Sequence, residues 1–500
     1  MAFFIGHDLG TGADKAVLVD ARGRLVAEHV ASYPLYHPEP GWAEQDAEDW
    51  WRAVCTATRA VLERAGLAPS EVAGLAFAGQ MLSLAALRAD GSPTRRPIVW
   101  MDGRAGVQAR RLVRRFGGER ILFLLAGGAP TGKDLVAKIA WLSEHEPDVY
   151  RETAFFTDAT GYLVARATGA VHIDPTAAGA TGMLDLDTRR WSRLLAWLTS
   201  FPLDKLPPLV ASTAIAGHVT ARAAAELGLA AGTPVAMGMA DVPSAAIGSG
   251  AVLGGDAHVY LGTSAWIGVT VDKPRHVPRA GIASVPSAAP TGCLVVGESE
   301  TAGACRAWFE AEIGTGSEAP SLDALAARAE PGARGLLFLP WMYGERAPVP
   351  DHRVRGAFVN LSLEHERRHL MRAVYEGVAL NLRWILEACA GAGEACPTLR
   401  AIGGGAQSDL WLQILADVTE RPIERVAEPH HAGAIGCALV AAVATGALGS
   451  VAAIKDTVRI ERRFVPERAH AAVYREAFAV FRELHGPLSR AGRLLEGRSR

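Results

Sequence analysis

One short motif occurs twice in this chain, once near the start and once just past the middle. Leu9-Gly10-Thr11-Gly12 lies between the apolar run from Phe3 and the run Lys15 to Val19; Leu261-Gly262-Thr263-Ser264 lies between Ala257–Tyr260 and Ala265–Val271. Each copy reads as strand, turn, strand, and in the first copy Asp20-Ala-Arg-Gly23 turns into a third strand at Arg24 to Val30. Two copies half a chain apart indicate a duplicated domain; a short solenoid would show more repeats at a shorter period. With 500 residues, 49% of them apolar, the chain can fill two cores of ordinary size. The expected class is α/β.

In both turns, Gly and Thr stand where a backbone can approach a ligand closely and offer its N–H groups, the physics of an anion nest. Either turn alone is more often a plain hairpin; two facing each other could grip one polyphosphate. Asp8, beside the first, is placed to hold Mg²⁺ directly or through water, since that ion takes oxygen ligands from one or two carboxylates plus phosphates. Between the two copies, Pro234 to Ala240 reads as a buried strand, Asp241 follows it, and Pro243 opens a small-residue helix that Gly248 and Gly250 can end. Asp241 is then either a helix cap or an acid at a strand end. In the second reading the helix N-terminus favours its ionised form, which can accept a proton from a hydroxyl.

Charge is close to balanced, 51 Lys+Arg against 53 Asp+Glu, with no long basic run, so a nucleic-acid partner is not expected and a small molecule is. The six cysteines form no Cys-x-x-Cys pair and read as reduced thiols. The apolar start, Ala2 to Ile5, is too short for a signal peptide, so the expected compartment is the cytoplasm. Ala432 to Ile454 is uncharged and long enough to cross a bilayer, yet it is mostly Ala and Gly and is broken by Thr445-Gly446 and Gly449-Ser450. A buried helix plus a turn is expected there, and no membrane span.

Further polar groups fall just past strand ends. Val72 to Phe77 runs into Ala78-Gly79-Gln80-Met81, and Pro97 to Trp100 runs into Met101-Asp102-Gly103-Arg104. That edge of an open α/β sheet is where ligands bind, so Gln80, Trp100, Asp102 and Arg104 are candidate sugar contacts. Asp102 with Arg104 equally reads as an ion pair at a turn. Asp46 reads as an N-cap before a helix burying Trp50, Trp51 and Val54; Lys138 to Leu142 reads as a core helix face. Leu399 to Trp411 holds three glycines between a strand and a helix; a flat ring or phosphate can lie against such a backbone, although the spacing is neither a Rossmann nor a P-loop pattern.

Taken in order, Asp8-Leu-Gly-Thr11, Ala78-Gly-Gln-Met81, Trp100-x-Asp102-x-Arg104, Asp241, Leu261-Gly-Thr-Ser264, Gly344-Glu-Arg-Ala-Pro348 and Gly403-Gly-Gly-Ala406 resemble the FGGY carbohydrate kinases along nearly the whole chain, with the xylulokinase branch most similar. The resemblance implies two tandem actin-like (ribonuclease H-like) domains around a cleft: residues 1–245 for sugar and 246–500 for ATP. It implies Asp241 as the base; Gln80, Met81, Trp100, Asp102, Arg104 and Asp241 around the sugar; and Asp8 and Asp241 on Mg²⁺. Gly10, Thr11, Gly12, Lys15, Gly262, Thr263 and Ser264 would hold phosphates, and Gly403, Gly404, Gly405, Ala406 and Ser408 would line the nucleotide pocket. The implied substrate is a ketopentose such as D-xylulose. Another sugar or polyol (L-ribulose, glycerol, gluconate, a tetritol) and an actin-like ATPase without sugar chemistry are the alternatives, and a homodimer is open. Three positions depart from the family pattern: Asp14 in the first turn, Leu82 after Gln80-Met81, and Val242 after Asp241.

Overall fold

Two sheets of seven strands each carry the duplication into three dimensions. The computed structural model describes residues 2–115, 117–118, 130–275, 280–314, 321–391 and 396–496. The first sheet contains β1 (Phe3–Leu9), β2 (Ala13–Asp20), β3 (Leu25–Ser32), β4 (Val72–Gly79), β5 (Ile215–His218), β6 (Pro234–Ala236) and β7 (Met239–Ala240), in the order β3-β2-β1-β4-β6-β5 with β7 on β4. The second contains β8 (Ala257–Leu261), β9 (Ala265–Val271), β10 (Ile282–Pro286), β11 (Cys293–Ser299), β12 (Leu399–Ile402), β13 (Ile423–Val426) and β14 (Ile460–Phe464), in the order β10-β11-β9-β8-β12-β13-β14. In each, the opening strand pairs antiparallel with the next across the glycine turn and parallel with a later strand on its other side. The repeated motif therefore marks equivalent points of two equivalent sheets.

The seven helices that matter for the site are α1 (Ala47–Ala65), α2 (Leu135–His145), α3 (Asp241–Ser249), α4 (Gly303–Glu312), α5 (Arg367–Ala390), α6 (Asp409–Thr419) and α7 (Ala432–Ala444). Asp46 caps α1 by accepting from Glu48 N at 2.9 Å, as its position before the helix predicts. Strand alternation sorts the first sheet's faces: Ile5, Leu9, Ala16, Leu18 and Phe77 pack with Trp50 and Val54 of α1, while Phe4, Val17, Val19, Ala76 and Ala78 pack with α7. α7 thus belongs to the second half of the sequence but covers the first sheet. Conversely α3, from the end of the first half, sets Ala245 against Ile402 and Val426 of the second sheet.

The helices exchange partners across a crossing made of glycines. A Cβ on Gly248 of α3 would lie 1.7 Å from the Ala432 carbonyl oxygen, and one on Gly436 of α7 would lie 2.1 Å from that of Ser244. Gly6 of β1 meets α7 in the same way, with 1.9 Å to Ala434 O. Backbone touches backbone at all three places, which no larger residue allows. The uncharged stretch from Ala432 is therefore a buried helix followed by a turn, and no described helix is long and apolar enough to cross a membrane.

Three local readings change. Pro97 to Trp100 forms no ladder; Ile98 makes only isolated bridges, to Leu84 and to Glu44. The run Pro234 to Ala240 is two strands, broken at Gly238, whose φ of +74° and fit against the Phe77 carbonyl demand glycine. The helix expected to open at Pro243 begins two residues earlier, so Asp241 is its first residue and not its cap, which is Ala240.

Candidate active site

Asp241 stands where β7 gives way to α3, half-buried at the floor of the gap between the sheets. Its Oδ1 accepts from Val242 N at 2.9 Å and from Met81 N at 3.3 Å, tying it to the loop that follows β4. Burial, then the nearby Asp8, raise its pKa to about 7. This corrects the expectation that the helix N-terminus keeps the carboxylate ionised: desolvation and a like charge outweigh two N–H donors.

Asp8, the penultimate residue of β1, is also held above the ordinary carboxylate range, by burial and by Asp14 against the opposing pull of Lys15. Gly433 of α7 leaves room for it; a Cβ there would sit 2.5 Å from Asp8 Oδ2. Across the gap, Tyr260 of β8 lies with its ring against Gly262 and stacks on Trp266, with centroids 3.8 Å apart. Its hydroxyl is pushed up to about 12 by burial and then by Asp8 and Asp241, so both carboxylates lie within electrostatic reach of it.

The second turn is braced from behind. Gly303, at the start of α4, donates to Gly262 O at 2.8 Å, and a Cβ on it would come within 2.4 Å of that oxygen. Thr263 O accepts from Ala302 and Ala304, leaving the Thr263 side chain exposed. Beside it, Gly403 (φ +89°) donates to Pro429 O and would place a Cβ 2.5 Å from Leu261 O, so the third glycine stretch is fastened to the second turn. Gly404 opens onto empty space, Gly405 packs on Leu261 and Trp411, Ala406 is buried, and Ser408 caps α6 while donating to Asp323 at 2.6 Å.

On the other side, Trp100 donates its Nε1 hydrogen to Thr11 Oγ1 at 2.9 Å, and Gln45 donates to Thr11 O and accepts from Gln80 at 2.6 Å. Gln80, Trp100 and Thr11 are thereby brought together. Met81 packs with Val242, Leu294 and Trp266, bridging the halves. Asp102 and Arg104 form a fully buried ion pair, Nη2 to Oδ2 2.7 Å, with Glu44 as a second carboxylate and the guanidinium over Trp42. The turn reading of this pair is what the geometry supports, and it leaves only Arg104 Nη1 without a partner. Gly10 is held in its turn by Ala13 and Tyr33, and Gly12 accepts from Tyr33 N.

Asp14, the acid that departs from the family pattern, faces away. Strand alternation puts it on the α1 face, where it pairs at 2.9 Å with equally buried His7, while Lys15 takes the α7 face with Asp8.

Two residues that sequence reading treats as scaffold join the site. Gln45 links the first turn to Gln80, and fully buried Lys138 of α2 donates to Leu82 O at 2.7 Å and Val99 O at 2.9 Å, bolting the loop after β4 to the segment before Trp100. Burial lowers the Lys138 pKa to about 7. No local pattern announces either role, since both partners lie far along the chain. Lys138→Met should leave two carbonyls unpaired, each costing about 1–3 kcal/mol, and, on the expectation that these loops hold the sugar, raise the sugar KM about tenfold while the ATP KM stays put. Equal changes in both KM values would show a merely general weakening.

The chain matches the models of the N-terminal domain of the FGGY family of carbohydrate kinases over residues 3–248 and of its C-terminal domain over residues 257–445. It is 29% identical to the xylulose kinase of Bacillus subtilis over 97% of both chains. Among solved structures, the ligand bound xylulose kinase of Lactobacillus acidophilus superposes with a TM-score of 0.90 at 27% identity, covering 98% of this chain and 99% of that one. The gluconate kinase of the same organism gives the same TM-score and identity over 98% of both chains. Overall likeness therefore does not choose between those two sugars.

Proposed function

Because this chain belongs to the FGGY family of carbohydrate kinases, with two actin-like domains and with ATP and a sugar as substrates, we propose that it phosphorylates a ketopentose such as D-xylulose, with Asp241 as the base. The observation that carries the reading is the nearness of Asp241 to Asp8, each at the end of a strand of the first sheet, with Tyr260 of the second sheet within reach of both charges. Asp241 takes the proton of the acceptor hydroxyl, that oxygen forms a bond to the γ-phosphorus as the bond to the β-phosphate oxygen breaks, and ADP leaves. Positioning and electrostatics supply most of the rate in such transfers. The N–H groups of Thr11, Gly12, Thr263 and Ser264, with Lys15, fix the phosphates, since those of Gly10 and Gly262 close the turns themselves.

Two carboxylates, each raised by burial and by a neighbouring negative charge, suit an oxygen-liganded cation, so Asp8 and Asp241 are the residues that would hold Mg²⁺. When bound, the ion neutralises phosphate charge and lowers both carboxylates' affinity for protons.

Three buried polar atoms lack partners on the sugar-side loops: Gln80 Oε1, Ser83 Oγ and Arg104 Nη1. A polyhydroxyl ligand would satisfy them. Arg104 is already neutralised by Asp102 and Glu44, and Lys138 is committed to two carbonyls, which favours an uncharged sugar. One observation favours the second reading, a sugar acid such as gluconate: Lys133 Nζ lies 5.8 Å from the Trp100 ring centroid, free of any such commitment there. A panel of sugars read by ADP release, with product position by phosphorus NMR, decides. We expect D-xylulose to give the highest kcat/KM; a gluconate maximum that Lys133→Gln abolishes would establish the second reading instead. ATP turnover indifferent to every sugar would sink both.

A further inference from the structure

Outside the cleft floor, the described residues contain one group of three metal-ligating side chains: Glu28, His430 and His431, whose donor atoms all lie within 4.8 Å of one another. The backbone arranges this without any contribution from Asp8 or Asp241. Glu28 of β3 is paired with Val17, so it projects on the α7 face of the first sheet, beside Lys15 rather than beside His7. His430 and His431 end the short turn between β13 of the second sheet and α7. The group therefore draws one donor from the first sheet and two from the connection that carries α7 across to it.

The second observation is His431 itself. Its side chain is 5% exposed, neither ring nitrogen makes a hydrogen bond, and Nε2 faces the Glu28 carboxylate. His430 lies beside it, ring centroids 4.0 Å apart and tilted by 50°, with Gln407 Nε2 3.2 Å from its Nδ1. Nδ1 of this buried imidazole has no partner and Nε2 meets only the Glu28 carboxylate, a pair of donor atoms that a bound ion would hold together.

The geometry points to a binding site for a borderline-soft divalent ion such as Zn²⁺, held by Glu28, His430 and His431 and distinct from the Mg²⁺ position at Asp8. Two imidazoles and one carboxylate are the donor set that selects Zn²⁺, Co²⁺ or Ni²⁺ over Mg²⁺ and Ca²⁺, which take oxygen. Three protein donors leave the fourth position to water. Since Glu28 belongs to the first sheet and the histidines to the connection from the second, a bound ion clasps the two halves. This inference does not depend on which sugar is phosphorylated, or on Asp241 being the base.

The test uses the untagged full chain, stripped with chelator and free of nucleotide, titrated with Zn²⁺ against a chromophoric chelator in millimolar Mg²⁺. One equivalent is expected to bind at micromolar or tighter affinity, and Glu28→Gln and His430→Gln should each weaken it at least tenfold. Zn²⁺ should raise the Tm of the wild type and not of the variants. Co²⁺ added to the wild type should give the visible absorption band of a low-coordinate nitrogen and oxygen site, a readout independent of how the variants fold. Absence of that band, or equal Zn²⁺ affinity in the wild type and in folded variants, overturns the site.

Discussion

Asp241→Asn is expected to keep metal-free nucleotide binding near the wild type's and to lose about 10²–10⁴-fold in kcat, the range a positioned general base supplies. The same exchange should stabilise the protein above neutral pH. Burial and Asp8 raise the Asp241 pKa to about 7, so the folded chain holds that proton more tightly than the unfolded chain does. Its favourable contribution is complete below the ordinary carboxylate range and is lost progressively as pH climbs from there through 7. Asparagine carries no such dependence; the variant's Tm should draw level with or fall below the wild type's at acid pH and exceed it at pH 8. In the wild type, kcat/KM should climb with pH to a plateau, since only the ionised form accepts the proton, and raising Mg²⁺ should shift the midpoint downward from about 7. A variant with near-normal turnover would refute the assignment outright.

The second large effect is structural. Gly6→Val should cost about 3 kcal/mol or more, at or beyond the upper end for overpacked cores, because the new Cβ meets Ala434 O at 1.9 Å and Ala438 N at 2.5 Å. Those are backbone atoms of α7, and the helix has no side chain to swing aside. Gly449→Ala serves as the control: nothing lies within 4 Å of a Cβ there, and its urea midpoint should not move. If both substitutions shifted the midpoint equally, the close passage of α7 over β1 would not be what the fold depends on.

Features set by near neighbours were readable from the residues alone. The two hairpins, the Asp46 cap, the three glycine stretches and the placement of Asp241 at a strand end all follow from runs of a few residues whose chemistry is local. What escaped was set by distant partners. Lys138 looks like any core-helix position until Leu82 and Val99 arrive as its acceptors. Asp14 looks like a charge beside the phosphates, and only its pairing with His7 turns it to the opposite face. Asp102 and Arg104 sit two apart in sequence, so their ion pair was visible, but the third member, Glu44, was not. Likewise Pro97 to Trp100 has the apolar run of a strand, yet its hydrogen bonds go to loop residues, and the Pro234 run breaks where Gly238 has to clear Phe77.

The exchange of α3 and α7 has a bearing on how the polypeptide is made. The apolar flank of the first sheet, Phe4, Val17 and Ala76 among it, is covered by a helix translated near the end of synthesis. While it emerges from the ribosome, the amino-terminal half must wait with that flank uncovered, and sealing it requires nearly the entire chain. Neither half is then a self-sufficient folding unit, however plainly the two share an ancestral plan.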